Sequence, residues 1–340
     1  MSNSYSCMFE AALADFLTDE RMRAIEAGAP GAGLWLEVES LGYADALIPE
    51  DLGGAGLSLA QAAPLLCAAG KAGLNHPLGE TMVARALLAS AGWKNDGVCM
   101  ALAPAVAAQR GEAVACAQVP GALLATHVLV DAGEHWLLMP VASARITPGI
   151  YRPHVSASLT WDSDGLASFQ FAKGEGHCAR SLCNAIHAAA MAGAMERVLG
   201  LCVQYANDRR QFGRAIGQFQ AVQQDLAVLA QQVGMSVLAA RMGCATAGLH
   251  PDPLLAASAK LNASDAALRV ATLAHAVHGA IGITEEHVLG VFTARLHELR
   301  ATVDTDHTCA ARLGHALLHG GQQFLDFVRD ALAPAPVEEA

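Results

Sequence analysis

The residues with the clearest chemical potential form one string, Tyr205-Ala206-Asn207-Asp208-Arg209-Arg210-Gln211-Phe212-Gly213-Arg214-Ala215-Ile216-Gly217-Gln218-Phe219-Gln220. A helix runs into the string, a doubled arginine follows, and Gly213 permits a turn before a new helix opens near Gln218. Two guanidinia beside such a turn present permanently charged, planar donors suited to a phosphate or pyrophosphate. The plainer alternative is a helix C-terminus whose arginines answer the macrodipole. Other reactive residue types also cluster. His177, Cys178, Cys183 and His187 lie close in sequence, but their spacing matches no standard zinc set, so no metal is expected. His275 and His278 fall one turn apart on a long helix and read as packing or local hydrogen bonding. Gly53-Gly54-Ala55-Gly56 has neither the preceding strand nor the following lysine of a phosphate loop, and reads as a turn into a helix.

Three kinds of segment must position these residues. Helix periodicity marks the first block: Phe9 to Phe16 opens one helix, Ser58 N-caps a second to Ala69, and Pro77 to Gly92 forms a third. Short β-friendly runs follow (Val98–Leu102, His127–Val130, Trp136–Leu138, Ser158–Trp161, Ser168–Phe171), separated by Gly, Pro and Asp, and predict a small antiparallel domain. From Cys178 the helix period returns. Val222, Leu226, Leu229, Val233 and Val237 share one helix face, and further long helices are predicted over Leu254–Val277 and Leu313–Val328. The expected fold class is therefore α+β. Its parts are a helical domain over 1–96, a β domain over 97–174, a helical bundle over 175–331 and a disordered Pro-rich tail over 332–340.

Composition narrows the partners. The chain has 340 residues, with 21 Lys+Arg against 32 Asp+Glu, so its net charge of −11 argues against nucleic acid and anionic membrane surfaces. At 53% apolar and 16% charged residues it can bury a large core. Apolar runs of about 18 residues are all interrupted by charge or helix breakers, so no membrane span is expected. Met1–Glu10 shows neither the basic nor the apolar part of a secretory leader. The 9 cysteines are scattered and read as reduced thiols, which points to the cytoplasm.

The string Tyr205–Gln220 resembles the signature of the C-terminal helical domain of acyl-CoA dehydrogenases. Ala259–Ala267 looks like that family's next helix, and Gly279-Ala280-Ile281-Gly282-Ile283-Thr284-Glu285 looks like its glycine turn followed by Glu. Upstream, Ile48-Pro49-Glu50-Asp51-Leu52-Gly53-Gly54-Ala55-Gly56-Leu57-Ser58 matches the N-terminal Pro-Glu-x-x-Gly-Gly motif. The resemblance implies a helix–β–helix chain that oxidises an acyl-CoA thioester to the 2,3-enoyl-CoA with FAD. By that match Arg209, Phe212 and Gln220 contact FAD, while Gly279 and Gly282 let backbone approach it. It also implies a homo- or hetero-oligomer (dimer or tetramer) through the C-terminal bundle, with FAD completed by a neighbouring subunit, and an electron-transfer flavoprotein as acceptor.

The departures are specific. One family position for the catalytic Glu, nine residues after Arg295, holds Asp304; the other, 26 before Arg209, holds Cys183. Asp304 is thus the candidate base, with an exposed loop acid or the N-cap of the last helix as its alternatives. Ala276 stands where the family has Gln, and the Thr-Glu-Pro and Gly-Ser-Asp segments that cover the flavin are not recognisable. Short bacterial members of this kind resemble subunits of heteromeric dehydrogenases acting on steroid or other bulky acyl-CoA, or on fatty acyl-CoA. Two alternatives stay open: a catalytically silent subunit that supports a partner's cofactor, and a non-redox acyl-CoA-binding enzyme on the same fold.

Overall fold

The computed structural model describes residues 2–28, 33–94, 97–108 and 113–332. The first part is helical: α1 (Ser2–Phe16), α2 (Asp19–Glu26), α3 (Leu34–Ser40), α4 (Leu59–Lys71) and α5 (Leu78–Ser90). Ser58 caps α4 as expected, in a reciprocal box. Its hydroxyl accepts from Gln61 N at 3.2 Å, and Gln61 Oε1 accepts from Ser58 N at 2.8 Å. α4 crosses α6 (Ala179–Asp208) at very short range. A Cβ on Gly70 would stand 2.0 Å from Ala190 O, and one on Gly193 would stand 1.9 Å from Cys67 O. The Ala/Gly-rich composition of both helices is what allows this approach.

Eight strands make two four-stranded sheets. The first has the order β1 (Met100–Pro104), β4 (His127–Asp131), β5 (His135–Pro140), β8 (Phe169–Ala172). The second has the order β2 (Ala107–Ala108), β3 (Val114–Val119), β7 (Ala157–Trp161), β6 (Arg145–Pro148). The expected all-antiparallel arrangement needs correction, because β1 pairs β4 in parallel, Met100 facing His127. After β1 the chain leaves for β2 and β3 in the other sheet and returns as β4 in the same direction, which imposes a parallel pair. Trp136 and Trp161 fill the core of this region and are fully buried.

The rest is a bundle: α6, α7 (Gln220–Gly243), α8 (Pro253–His278), α9 (Leu289–Ala301), α10 (Asp306–His319) and α11 (Phe324–Ala331). A two-residue hairpin, β9 (Arg210–Gln211) with β10 (Arg214–Ala215), links α6 to α7. Asp131 at the end of β4 ties the β region to the bundle. It accepts from Ala179 N at 3.0 Å, capping α6, and from Lys173 Nζ at 2.7 Å. On α7 the expected face is buried at Leu229 and Val233 and half-buried at Val222, Leu226 and Val237. The single helix expected over Leu313–Val328 is two, because Gly320 and Gly321, the latter at φ +66°, end α10. The tail expectation lies almost wholly outside the described residues.

One further expectation changes. α6, α7 and the α8 segment to Ile283 are each long and apolar enough, by length and composition, to cross a membrane. The few charges in these helices are too sparse to exclude a span on composition. Here α6 spends its apolar surface on α4, α7 and α8, as the most enclosed helix of the bundle.

Candidate functional site

The candidate residues fall into two groups at opposite ends of α6. At its C-terminal end, Arg209 leaves the helix in extended conformation, its N–H held by Tyr205 O at 2.9 Å. The hairpin closes on Phe212 and Gly213, both left-handed at φ +52° and +81°. Gly213 tolerates that conformation; Phe212 is strained by it and stands 91% exposed. The Arg214 guanidinium lies 4.1 Å from the centre of the Phe219 ring, and Phe219 meets Phe212 edge-on at 6.1 Å. Arg209 is exposed, and its guanidinium has no hydrogen-bond or ion-pair partner among the described residues. Gln220, also exposed, is the first residue of α7, where free backbone N–H groups favour an anion.

The glycine turn joins the same end. The Tyr205 ring stacks on His278 at 4.6 Å, and His278 meets His287 at 4.6 Å, pinning the ends of α6 and α8 to the segment before α9. Gly279 sits at φ +62°, ψ −140°, a conformation open essentially to glycine, with open space where a Cβ would be. Gly282 is hemmed in by its neighbours. A Cβ there would strike His278 Cβ at 2.8 Å and Leu289 Cδ2 at 3.2 Å, so its bareness packs the turn against α8 and α9.

Asp304 belongs to the other end, near the α6 N-terminus. It is fully buried, accepting from Arg180 Nη1 at 2.7 Å and Asn184 Nδ2 at 2.9 Å, with Arg312 Nη2 at 3.2 Å. Two cations and an amide therefore occupy its lone pairs. The loop that carries it is held as firmly. Lys260 Nζ, fully buried on α8, donates to Leu299 O at 2.6 Å and Thr302 O at 3.0 Å, and Val303 is left-handed at φ +64°. Burial lowers the Lys260 ammonium to about 8. Cys183, at the second family position, is buried with its thiol directed at Leu102 O, and burial pushes it far above the usual thiol range. Neither position presents a free base to a ligand. Both alternatives for Asp304 also fail: it is fully buried and not an exposed loop acid, and Thr305 caps α10, accepting from Thr308 N.

A buried polar cluster that sequence reasoning missed lies beside this end. His187 Nε2 meets Glu80 Oε1 at 2.8 Å, Arg295 Nη1 donates to Glu298 Oε2 at 2.5 Å, and Ser156 donates to the other Glu298 oxygen. Its members come from α5, α6, α9 and the approach to β7, so no local spacing reveals it. Asn184 to Asp208 spans about 36 Å at ~1.5 Å per residue, which separates Asp304 from the Arg209 group. Among the described residues no cluster could hold a metal ion.

Comparison with known proteins follows the same lines. Residues 184–301 match the family model described as acyl-CoA dehydrogenase, C-terminal domain. The chain is 34% identical over 287 residues to acyl-CoA dehydrogenase IpdE2 of Mycobacterium tuberculosis, covering 82% of this chain and 85% of that one. It is 32% identical to IpdE2 of Mycolicibacterium smegmatis, covering 78% and 81%. Among solved structures it is similar to a variant of the Tcur3481-Tcur3483 steroid ACAD (TM-score 0.80, 23% identity, 94% of this chain, 98% of that chain). It is also similar to the ChsE4-ChsE5 complex of Mycobacterium tuberculosis (TM-score 0.76, 20% identity, 94% and 97%).

Proposed function

The chain belongs to the acyl-CoA dehydrogenase family, whose members are flavin-dependent oxidoreductases, and from that premise we propose that it is the cofactor-supporting subunit of a heteromeric dehydrogenase. Its substrate class is an acyl-CoA thioester, and a partner subunit supplies the base that removes the proton alpha to the carbonyl. The observation that carries this reading is the split site: an exposed Arg209 group about 36 Å along α6 from a buried, doubly paired Asp304. The residues of the first group suit FAD. Arg209 offers an uncommitted cation to a pyrophosphate, the α7 N-terminus adds N–H donors, and Phe212 presents a bare ring. All of them face away from the chain's own core, which suits a cofactor shared with a neighbour.

Bound there, FAD would supply the acceptor for a hydride from the beta carbon of the thioester. The chain's own residues hold and shield it. Arg209 would offset the pyrophosphate charge, Gln220 would offer an amide, Phe212 would cover the cofactor from water, and Gly279 would keep the backbone turn open to approach. Asp304 holds α6 to α10 instead of moving a proton. The solved heteromers among the similar folds favour a hetero-oligomer over a homo-oligomer. Bulky alicyclic acyl-CoA thioesters are the first substrates to assay, with an electron-transfer flavoprotein or a dye as acceptor.

The test is flavin occupancy of the complex purified from its native source. Arg209→Ala is expected to lower bound flavin, read at ~450 nm, by about tenfold or more, with circular dichroism and melting unchanged, as for one lost charge-assisted bond of ~1.5–3 kcal/mol. Full occupancy in that variant would overturn the assignment.

A further inference from the structure

The three parts of the chain meet at a cleft of about 580 Å³, walled by α2, the loop after β6, the glycine turn and α9. Arg209, Phe212 and Gln220 do not line it; of the cofactor candidates Gly282 alone does. Its size is that of a small-molecule site. Its apolar walls are Ile150, Ile283, Val291 and Ala294, with Ile150 and Ile283 standing 80% and 78% exposed at the rim. Gly290 leaves a bare stretch of wall, since a Cβ there would meet nothing within 4 Å.

Two lining polar atoms are buried without a hydrogen-bond partner, Glu26 Oε2 and His275 Nδ1. Such atoms cost stability unless a ligand or water satisfies them. Two cations stand at the mouth of the cleft. Arg152 pairs with Glu285 at 2.7 Å, and Arg23 donates to Asp19 O at 3.4 Å and to Glu286 O at 3.1 Å. A phosphate or carboxylate seated there would face the partnerless Glu26 carboxyl oxygen, whereas a neutral donor satisfies it. We propose that this cleft binds an uncharged small molecule with an apolar body and one hydroxyl or N–H that it donates to Glu26. His275 offers a second polar contact on the same ligand. Burial raises the Glu26 carboxyl above the usual carboxylate range, which lowers the cost of seating a neutral ligand beside it. Both named bridges at the mouth, Arg152–Glu285 and Arg23–Glu286 O, are exposed and cheap to open.

Calorimetric titration of the full chain tests this with perhydrophenanthrenol, its ketone and its carboxylic acid analogue as probes. The alcohol is expected to bind one-to-one at micromolar concentrations, at least tenfold more tightly than the ketone, which lacks the donor, and than the carboxylate. Glu26→Leu should remove the preference for alcohol over ketone. Gly290→Leu should abolish binding of all three while melting at or above the wild-type temperature, because it fills the cleft from a helix. No saturable binding of the alcohol, a preference for the carboxylate, or binding untouched by both variants would overturn the proposal. Flavin occupancy of the same samples reads the cofactor assignment separately, so failure of one claim leaves the other standing.

Discussion

At the scale of single residues, Asp304 decides what the chain can do. A carboxylate acts as a base only when a lone pair is free and within reach of the substrate proton. Asp304 has neither freedom nor access, held as it is by Arg180, Asn184 and Arg312. Removing it leaves two guanidinia facing a buried gap, so Asp304→Ala should destabilise the chain by about 3 kcal/mol, checked by urea unfolding. A second residue gives a pH signature. Burial depresses the His76 imidazole to about 4, below its unfolded value near 6.5. Between those values the unfolded chain binds the extra proton, so stability is complete above pH 6.5 and is lost as pH falls towards 4. Melting temperature followed over pH 7 to 4 should fall less steeply for His76→Phe than for wild type. Equal slopes would show that other groups govern the acid limb.

At the scale of elements, the helix crossing gives the sharpest contrast. Gly193→Ala pushes a Cβ to 1.9 Å from Cys67 O and must separate α4 from α6, which should cost about 2–3 kcal/mol. Gly200→Ala on the same helix meets nothing within 4 Å and should gain about 0.5–1 kcal/mol from helix propensity. Thermal melting of both variants checks the pair, and equal effects would contradict the crossing. The same scale explains what was legible in the sequence. The long helices are periodic and carry their own end signals, such as the Ser58–Gln61 box, so they read directly. β3, with Ala115, Cys116, Ala117 and Gln118, has little strand propensity, and β6 is exposed along its length; pairing, not local pattern, makes them strands. The parallel β1–β4 pair depends on an excursion into another sheet, which no local run encodes. The Arg209 group could be read because it is one continuous string. The clamp on Asp304 could not, because Arg180 and Asn184 lie more than a hundred positions away.

At the scale of the whole molecule, the bundle leaves apolar side chains open to solvent. α7 leaves Val228, Met235 and Leu238 exposed at 42%, 48% and 61%, and α8 adds Leu268. Together they suit burial between subunits. Met235→Glu combined with Leu238→Glu should weaken association at least tenfold in analytical ultracentrifugation while leaving the isolated chain folded. Unchanged association would move the interface elsewhere. The central claim, that this chain supports the cofactor while its partner moves the proton, meets its most direct test in the turnover of the native complex carrying Asp304→Asn. The assay uses acyl-CoA and a dye acceptor, below the variant's melting temperature and per bound flavin. The account predicts kcat within about threefold of wild type. A fall of ~10²–10⁴, the loss expected when a general base is removed, would contradict it and return the base to Asp304.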